Sequence, residues 1–312
     1  MYPEPSWQCR AHGKLLLSGE YAVLDGALAL ALPTRFGQTF FAESTPHPGI
    51  LHWIARDHAG REWFSAELLL PELSIQTTSI APVADTLQQL LRACRRHRPG
   101  FLSGDTGWKV LTSLDFPRKW GLGTSSTLIA SLARWAAVDP YALLFETMGG
   151  SGYDIACAFA KGPLLYRLDG RVPTATPVAF DPPFAGQLFF VFLDKKQNSR
   201  EGIRRYRERV AGDTGFLSAI SDLTRNFLEA VRFEDFTEAM LEHERLISRA
   251  LDLPRAQTVH FPDFPGTIKS LGAWGGDFVL AASPEPPTAV REYFLKKGFQ
   301  TCIPFREMVL PP

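Results

Sequence analysis

The sequence has no excess of either charge: 33 Lys and Arg residues balance 33 Asp and Glu residues over 312 positions. A neutral chain has no electrostatic reason to seek nucleic acid or an anionic membrane, so any anion it binds must be held by a local site. Cysteine is scarce too. Cys9, Cys94, Cys157 and Cys302 show neither metal-site spacing nor the density of a disulfide framework, and read as small buried hydrophobes in a reducing compartment. No apolar run is long enough to span a bilayer. The opening Met1-Tyr2-Pro3-Glu4-Pro5 has no basic segment followed by an apolar core, so a secretory signal is not expected and a cytoplasmic location is. Internal repeats and low-complexity tracts are lacking as well. What is there is 45% hydrophobic content, enough for two domains with a core each.

The chain is organised around Lys119-Trp120-Gly121-Leu122-Gly123-Thr124-Ser125-Ser126-Thr127. Two glycines permit a tight turn and close approach to a ligand, and the hydroxyl run precedes an apolar segment, 128–138, that continues as a helix. Amide N–H groups at such a helix start, with the positive end of the helix dipole behind them, hold phosphate by main chain. Ser and Thr hydroxyls there can donate to phosphate or ligate magnesium. An ordinary capped helix accounts for the same residues. The Gly-Lys-Ser/Thr ending of a Walker loop is missing, so this is not a P-loop of that kind.

Elsewhere, Leu15-Leu16-Leu17 reads as a short buried strand and Asp25-Gly26 as a turn before a second apolar run, 27–32. Lys14 and Glu20 flank this strand-to-loop junction, where they serve a phosphate and its metal or form a plain surface ion pair. Residues 38–43, 51–54 and 62–67 read as strands and 81–95 as a helix. That helix ends in Arg92, Arg95, Arg96, His97 and Arg98, a cluster that complements the helix dipole without needing a nucleic acid. A strand at 108–114 delivers the chain to the glycine turn. After the helix beginning near Ser125, Asp139-Pro140 starts a short helix carrying Glu146. Then Gly149-Gly150-Ser151-Gly152-Tyr153-Asp154 leads into another, with Asp154 either presented into a cleft or capping the helix.

Residues 163–167 read as a strand and the Pro-rich 173–183 as a crossover or linker, so a domain boundary is placed there, giving domains 1–175 and 176–312. The second half reads as a strand at 188–193, a basic turn at 194–200 opening an amphipathic helix, helices at 216–231 and 233–250, a glycine loop at 272–277 before a strand at 278–281, a helix at 288–297 and a strand at 300–303. This order suggests a two-layer α+β second domain.

Three glycine-centred segments, 14–24, 121–127 and 272–277, resemble in this order the three motifs of the GHMP kinase superfamily, which includes galactokinase, homoserine kinase, mevalonate kinase and phosphomevalonate kinase. The middle one resembles the signature Pro-x-x-x-Gly-Leu-Gly-Ser-Ser through Pro117, Gly121, Leu122, Gly123, Thr124 and Ser125. The first looks most like the mevalonate and phosphomevalonate branch. Gly152-Tyr153-Asp154-Ile155-Ala156 is similar to the phrase that names the bacterial GYDIA-type GHMP kinases.

The resemblance implies an α+β, two-domain GHMP kinase fold, with an N-terminal ribosomal-protein-S5-domain-2-like domain and a C-terminal ferredoxin-like α/β sandwich. It implies an ATP- and Mg2+-dependent small-molecule kinase acting on a hydroxyl or phosphate of an anionic metabolite of the mevalonate or phosphomevalonate kind. A sugar or amino-acid kinase of the same fold, or a non-catalytic nucleotide- or metabolite-binding descendant, are the other readings. By the same resemblance Asp154 takes the proton of the acceptor, with Lys14 close to it lowering its pKa and screening charge. Gly121, Leu122, Gly123, Thr124, Ser125 and Ser126, with Gly272, Gly275 and Gly276, hold ATP. Ser125 and Glu146 reach the metal, while Glu20, Lys195, Lys196, Ser199 and Arg200 serve the acceptor. Trp274 replaces the middle glycine of the third motif, so its indole must point away from the phosphates or line the acceptor pocket. Monomer and homodimer both remain open.

Overall fold

Alternation of exposed and buried residues draws the first stretch of chain into a long strand, β1 (Ser6–Ser18), whose second half is buried throughout. A computed structural model describes residues 6–195, 199–272, 274 and 277–312. After β1 come a one-turn helix (Ala22–Asp25), the long β2 (Ala29–Thr45), β3 (Ile50–Arg56), β4 (Glu62–Leu69), β5 (Ser74–Thr78), α1 (Ala81–His97) and β6 (Gly107–Leu114). Three helices follow, α2 (Thr124–Ala136), α3 (Pro140–Thr147) and α4 (Tyr153–Ala158). Strands β7 (Leu164–Asp169), β8 (Val172–Pro177) and β9 (Leu188–Phe192) precede helices α5 (Ser199–Arg209), α6 (Thr214–Glu229), α7 (Phe233–Leu251) and α8 (Ala256–His260). The chain ends through β10 (Thr267–Ser270), β11 (Phe278–Ala282), α9 (Pro287–Lys296), β12 (Cys302–Pro304) and α10 (Phe305–Met308).

The described residues group into two compact units that interleave along the chain. One contains the described residues of 6–13, 36–118 and 122–159, and the other those of 14–35, 119–121, 160–195, 199–272, 274 and 277–312. In the first, the strand order is β5-β4-β3-β6-β2. β3 runs parallel to β6, while β6 pairs antiparallel with residues 38–45 of β2. Helices α1 to α4 pack on one another, and their apolar faces close a core around Phe40, Trp53, Leu90 and Ile129. Phe40 is fully buried and meets Trp7, Trp53 and Trp135 at ring-centroid separations of 5.4, 5.7 and 5.6 Å.

In the second unit, residues 29–31 of β2 pair with β7, which pairs in turn with β8. Its other sheet is antiparallel in the order β10-β11-β9-β12. Helices α7 and α8 contact β10, and Phe261, Phe264, Val290 and Phe294 pack with Phe189, Val191 and Val279 of the sheet. The α+β class expected from the sequence is thus the architecture observed. The Pro-rich stretch read as a linker is in its first part strand β8.

The basic cluster ending α1 is structural. Arg95 donates to the carbonyls of Phe101, Pro71 and Leu102, and Arg98 to that of Ala136. No described helix is long and apolar enough to cross a membrane.

Because Phe40 has three aromatic neighbours and no exposure, Phe40→Ala is expected to cost about 3–5 kcal/mol of stability. Urea unfolding followed by tryptophan fluorescence checks this; a loss below ~1 kcal/mol would mean that the cavity collapses.

Candidate functional site

In the first unit, α2 begins in a way that leaves its amides available. Its N-cap is Gly123, at φ 93, and no side chain caps the helix. The hydroxyl run divides by burial. Ser126 is buried and donates to the Gly123 carbonyl at 2.9 Å, while Thr127 Oγ1 donates to Gln38 Oε1 at 2.9 Å. Ser125 is exposed and Thr124 half-buried. The first turn therefore presents bare N–H groups and an open hydroxyl, the arrangement that binds anions at a helix start. Ordinary capping, the alternative reading of these residues, is absent. The Ser126 side chain, expected to help hold ATP, is turned inward to its own turn.

Thr124 and Ser125 also form part of the wall of a cavity of about 290 Å³ in the same unit, otherwise lined mainly by apolar groups including Trp53, Trp63, Leu87 and Leu128. Arg118, at the same cavity, lies over the Trp63 ring with its guanidinium carbon 3.5 Å from the centroid. Sequence reading missed these walls, although Trp53 in β3 and Trp63 and Phe64 in β4 were visible. Such a cavity suits a flat, largely apolar ring attached to an anionic group.

Asp154 lies in the first turn of α4, which packs against α2. It is not the cap. That position belongs to Gly152, at φ 83, and Asp154 Oδ1 accepts the N–H of Ile155 at 3.0 Å. Glu146, expected at the metal, is otherwise engaged. Arg96 donates through Nε to its Oε1 at 2.7 Å, and His97 Nε2 lies 2.8 Å from its Oε2. Hydrogen bonds from these two neighbours hold its carboxyl below the ordinary range. Among the described residues no group of three or more His, Cys, Asp or Glu side chains could hold a metal ion. The exposed Ser125 hydroxyl would suit a magnesium ion that took its other ligands from phosphate and water, as magnesium prefers.

In the second unit, Lys14 donates to the Gly121 carbonyl at 2.9 Å. Gly121 itself is at φ 66. Glu20 requires a correction. Expected to meet the acceptor, it is 1% exposed, with Lys269 Nζ 2.5 Å from Oε1 and His243 Nε2 3.1 Å from Oε2. A carboxylate this deep, spent on two internal partners, has no surface to offer a ligand. Burial alone would raise its pKa, but Lys269 and His243 together hold it below the ordinary range.

Trp274 is 4% exposed. Its indole N–H donates to Glu244 Oε1 at 3.1 Å and its backbone N–H to the Tyr21 hydroxyl at 3.1 Å. The indole packs in a cluster with Tyr21, Tyr206 and Ile247. Glu244 also accepts the Ser270 N–H at 2.8 Å. Burial pushes its carboxyl up to about 7, against the opposing pull of Lys269 and these N–H groups. Lys195 is exposed, with Nζ 3.4 Å from His260 Nε2. Gly272 is at φ 63 in open space, and Ser199 and Arg200 open α5. Lys196, Gly275 and Gly276 lie outside the described residues.

No family model matches the chain, and no curated protein matches it. Solved structures do. The mevalonate kinase of Methanococcus jannaschii aligns with TM-score 0.70 at 18% identity, covering 96% of this chain and 98% of that one. The Streptococcus pneumoniae phosphomevalonate kinase, in complex with phosphomevalonate and AMPPNP, gives 0.69 at 16%, covering 95% and 99%. Lactococcus lactis galactokinase, complexed with galactose, gives 0.66 at 12%, covering 98% and 93%. The chain thus has the GHMP kinase fold.

The Glu244 carboxyl supplies a pH test with a definite sign. With its folded pKa raised from 4.5 to about 7, the folded chain keeps a proton that the unfolded chain releases between these values, so stability falls as pH rises through that window. The size is on the order of 3 kcal/mol. Glu20 contributes with opposite sign, but below its ordinary pKa, where stability is lost as pH falls. The buried His243, held below its ordinary pKa by burial and Lys269, opposes this fall up to about 6.5, so urea unfolding across the window should show wild type losing stability relative to Glu244→Gln as pH rises; parallel profiles would place the Glu244 titration elsewhere.

Proposed function

We propose that the protein is an ATP- and magnesium-dependent small-molecule kinase, transferring the γ-phosphoryl group to a hydroxyl or phosphate of an anionic metabolite. An acceptor resembling mevalonate or phosphomevalonate is the nearest analogy. One observation carries the reading: the uncapped start of α2, with Ser125 exposed beside an apolar cavity. A nucleotide combines the two chemistries that this place offers, a base for the cavity and phosphates for the helix start.

Phosphoryl transfer asks little covalent help of a protein; positioning and charge neutralisation do most of the work. The amides after Gly123 and the Thr124 and Ser125 hydroxyls hold the phosphates in place. Ser125 would also hold the magnesium, which when bound neutralises charge on the phosphate oxygens. Asp154, in the first turn of α4, accepts the proton as the acceptor oxygen bonds to the γ-phosphorus. The bond from that phosphorus to the bridging oxygen breaks, and ADP leaves with its electron pair. Lys14 adds positive charge for the transferring group. Lys195, exposed in the second unit, offers positive charge to an acidic ligand. This chemistry needs no oxidant and no covalent enzyme intermediate.

A non-catalytic nucleotide binder is the second reading, and the engagement of Glu146 by Arg96 and His97 favours it. Turnover of ATP with a panel of hydroxylated and phosphorylated acids separates the two. For a kinase, Asp154→Asn is expected to lower transfer about 10²- to 10⁴-fold with AMPPNP affinity unchanged. If the wild type binds AMPPNP and no acceptor stimulates turnover, the binder reading stands instead. Ser125→Ala is expected to raise the magnesium concentration needed for half-maximal turnover while leaving the melting temperature in place; an unaltered metal titration would remove Ser125 from the metal site.

A further inference from the structure

The glycine turn before α2 is divided. Lys119, Trp120 and Gly121 group with the second unit, while Leu122 onward groups with the first. Within the second unit the tripeptide is held at every residue. Lys119 Nζ lies 2.6 Å from Asp194 Oδ2, both largely exposed. The Trp120 ring meets Phe278 edge-on at 5.7 Å and Phe192 at 6.5 Å. Lys14 takes the Gly121 carbonyl at 2.9 Å. The tightest feature is on the Gly121 α-carbon: a Cβ built there would lie 2.0 Å from Asp277 Oδ2 and 2.4 Å from its Cγ.

Asp277 is itself held in an unusual place. Its backbone is at φ 38, a conformation that costs a non-glycine residue energy. Two hydrogen bonds pin it there, its N–H to the Lys195 carbonyl at 3.1 Å and the Leu193 N–H to its carbonyl at 2.7 Å. Strain kept in this way at a loop asks for a use, and the group it presents is a carboxylate against the glycine that starts the turn. The exposed Lys119–Asp194 pair contributes little. The packed contact at Gly121 is what limits the turn.

We propose that Asp277 is a positioning residue for the phosphate turn. By filling the space against the Gly121 α-carbon, it fixes the direction in which the chain leaves Gly121, and so the aim of the amides after Gly123. It acts through Gly121 and not on the nucleotide. In this chain the third glycine motif therefore serves the second through its carboxylate. This inference rests on the nucleotide reading of the α2 start.

The test is calorimetric binding of AMPPNP with magnesium to the full chain, with the melting temperature of each variant. Asp277→Gly suits the positive φ and removes the carboxylate, so folding is retained while the turn loosens. It is expected to weaken binding about tenfold, a coupling typical of residues in contact, with the melting temperature held or raised. Asp277→Asn, which keeps the shape and tolerates this backbone, should bind like wild type. Gly121→Ala should weaken binding less in the Asp277→Gly background than alone, because the clash is relieved; if Gly121→Ala does not fold, the Gly and Asn variants at Asp277 decide. Wild-type affinity in Asp277→Gly overturns the positioning role and leaves the nucleotide reading intact. A wild type that binds no AMPPNP overturns both.

Discussion

A fully buried ion pair, Glu20 with Lys269, sets the terms for the second unit. Neither side chain has measurable exposure, their charged atoms are 2.5 Å apart, and the two residues are 249 positions apart in sequence. A lone charge at such a depth costs several kcal/mol, so neither strand end can be seated without the other. The first glycine segment and the strand leading to the third are thereby obliged to fold together. The obligation extends to their neighbours. Gly19 turns at φ 94, where a Cβ would lie 2.6 Å from that of Ala29, and Tyr21 is forced to φ 61. Tyr21 is compensated for this strain by the Trp274 N–H on its hydroxyl and by stacking on Tyr206, which donates to Asp25.

Much of the fold was legible wherever hydrophobic period and turn chemistry agreed, as in α1, β6 and the helical second half. The failures have common causes. β2 was read as two separate runs because Pro33 and Gly37 interrupt it, yet its pairing with β7 covers 29–31 and that with β6 begins at 38. The proline falls between the residues paired with β7 and those paired with β6. β8 was read as linker for a related reason. It pairs with β7, and its prolines, Pro173 and Pro177, are compatible with such an edge position. The first half of β1 lacks an apolar run, and its signal is the alternation of Ala11 and Gly13 with His12 and Lys14, that of a half-buried strand.

Legibility of the candidate site depended on whether main chain or side chain carries the chemistry. The turn at Gly121 and Gly123 could be read directly, since glycine spacing before an apolar helix reports backbone geometry. The carboxylates could not. Glu20, Glu146 and Asp154 are the same kind of group, and only burial and partners separate an internal ion pair, a surface bridge to Arg96 and His97, and an acid at a helix start. No local pattern encodes that a lysine at position 269, inside the short strand Thr-Ile-Lys-Ser, faces a glutamate far upstream.

Trp274 shows how a departure from a motif is absorbed. A glycine at this place would give a loop conformational freedom, and an indole removes it. The ring can be buried only if its N–H finds an acceptor, since an unpaired indole donor in the interior costs about 1–3 kcal/mol. Glu244 provides the acceptor, and because Ser270 donates to the same carboxyl oxygen, loop and strand are tied to one point on α7. That point is itself costly, as the raised Glu244 carboxyl shows. What Trp274 loses in freedom it regains as a fixed place: Ser270 and Trp274 are held on one oxygen of Glu244, and Asp277 is held by Lys195 and Leu193.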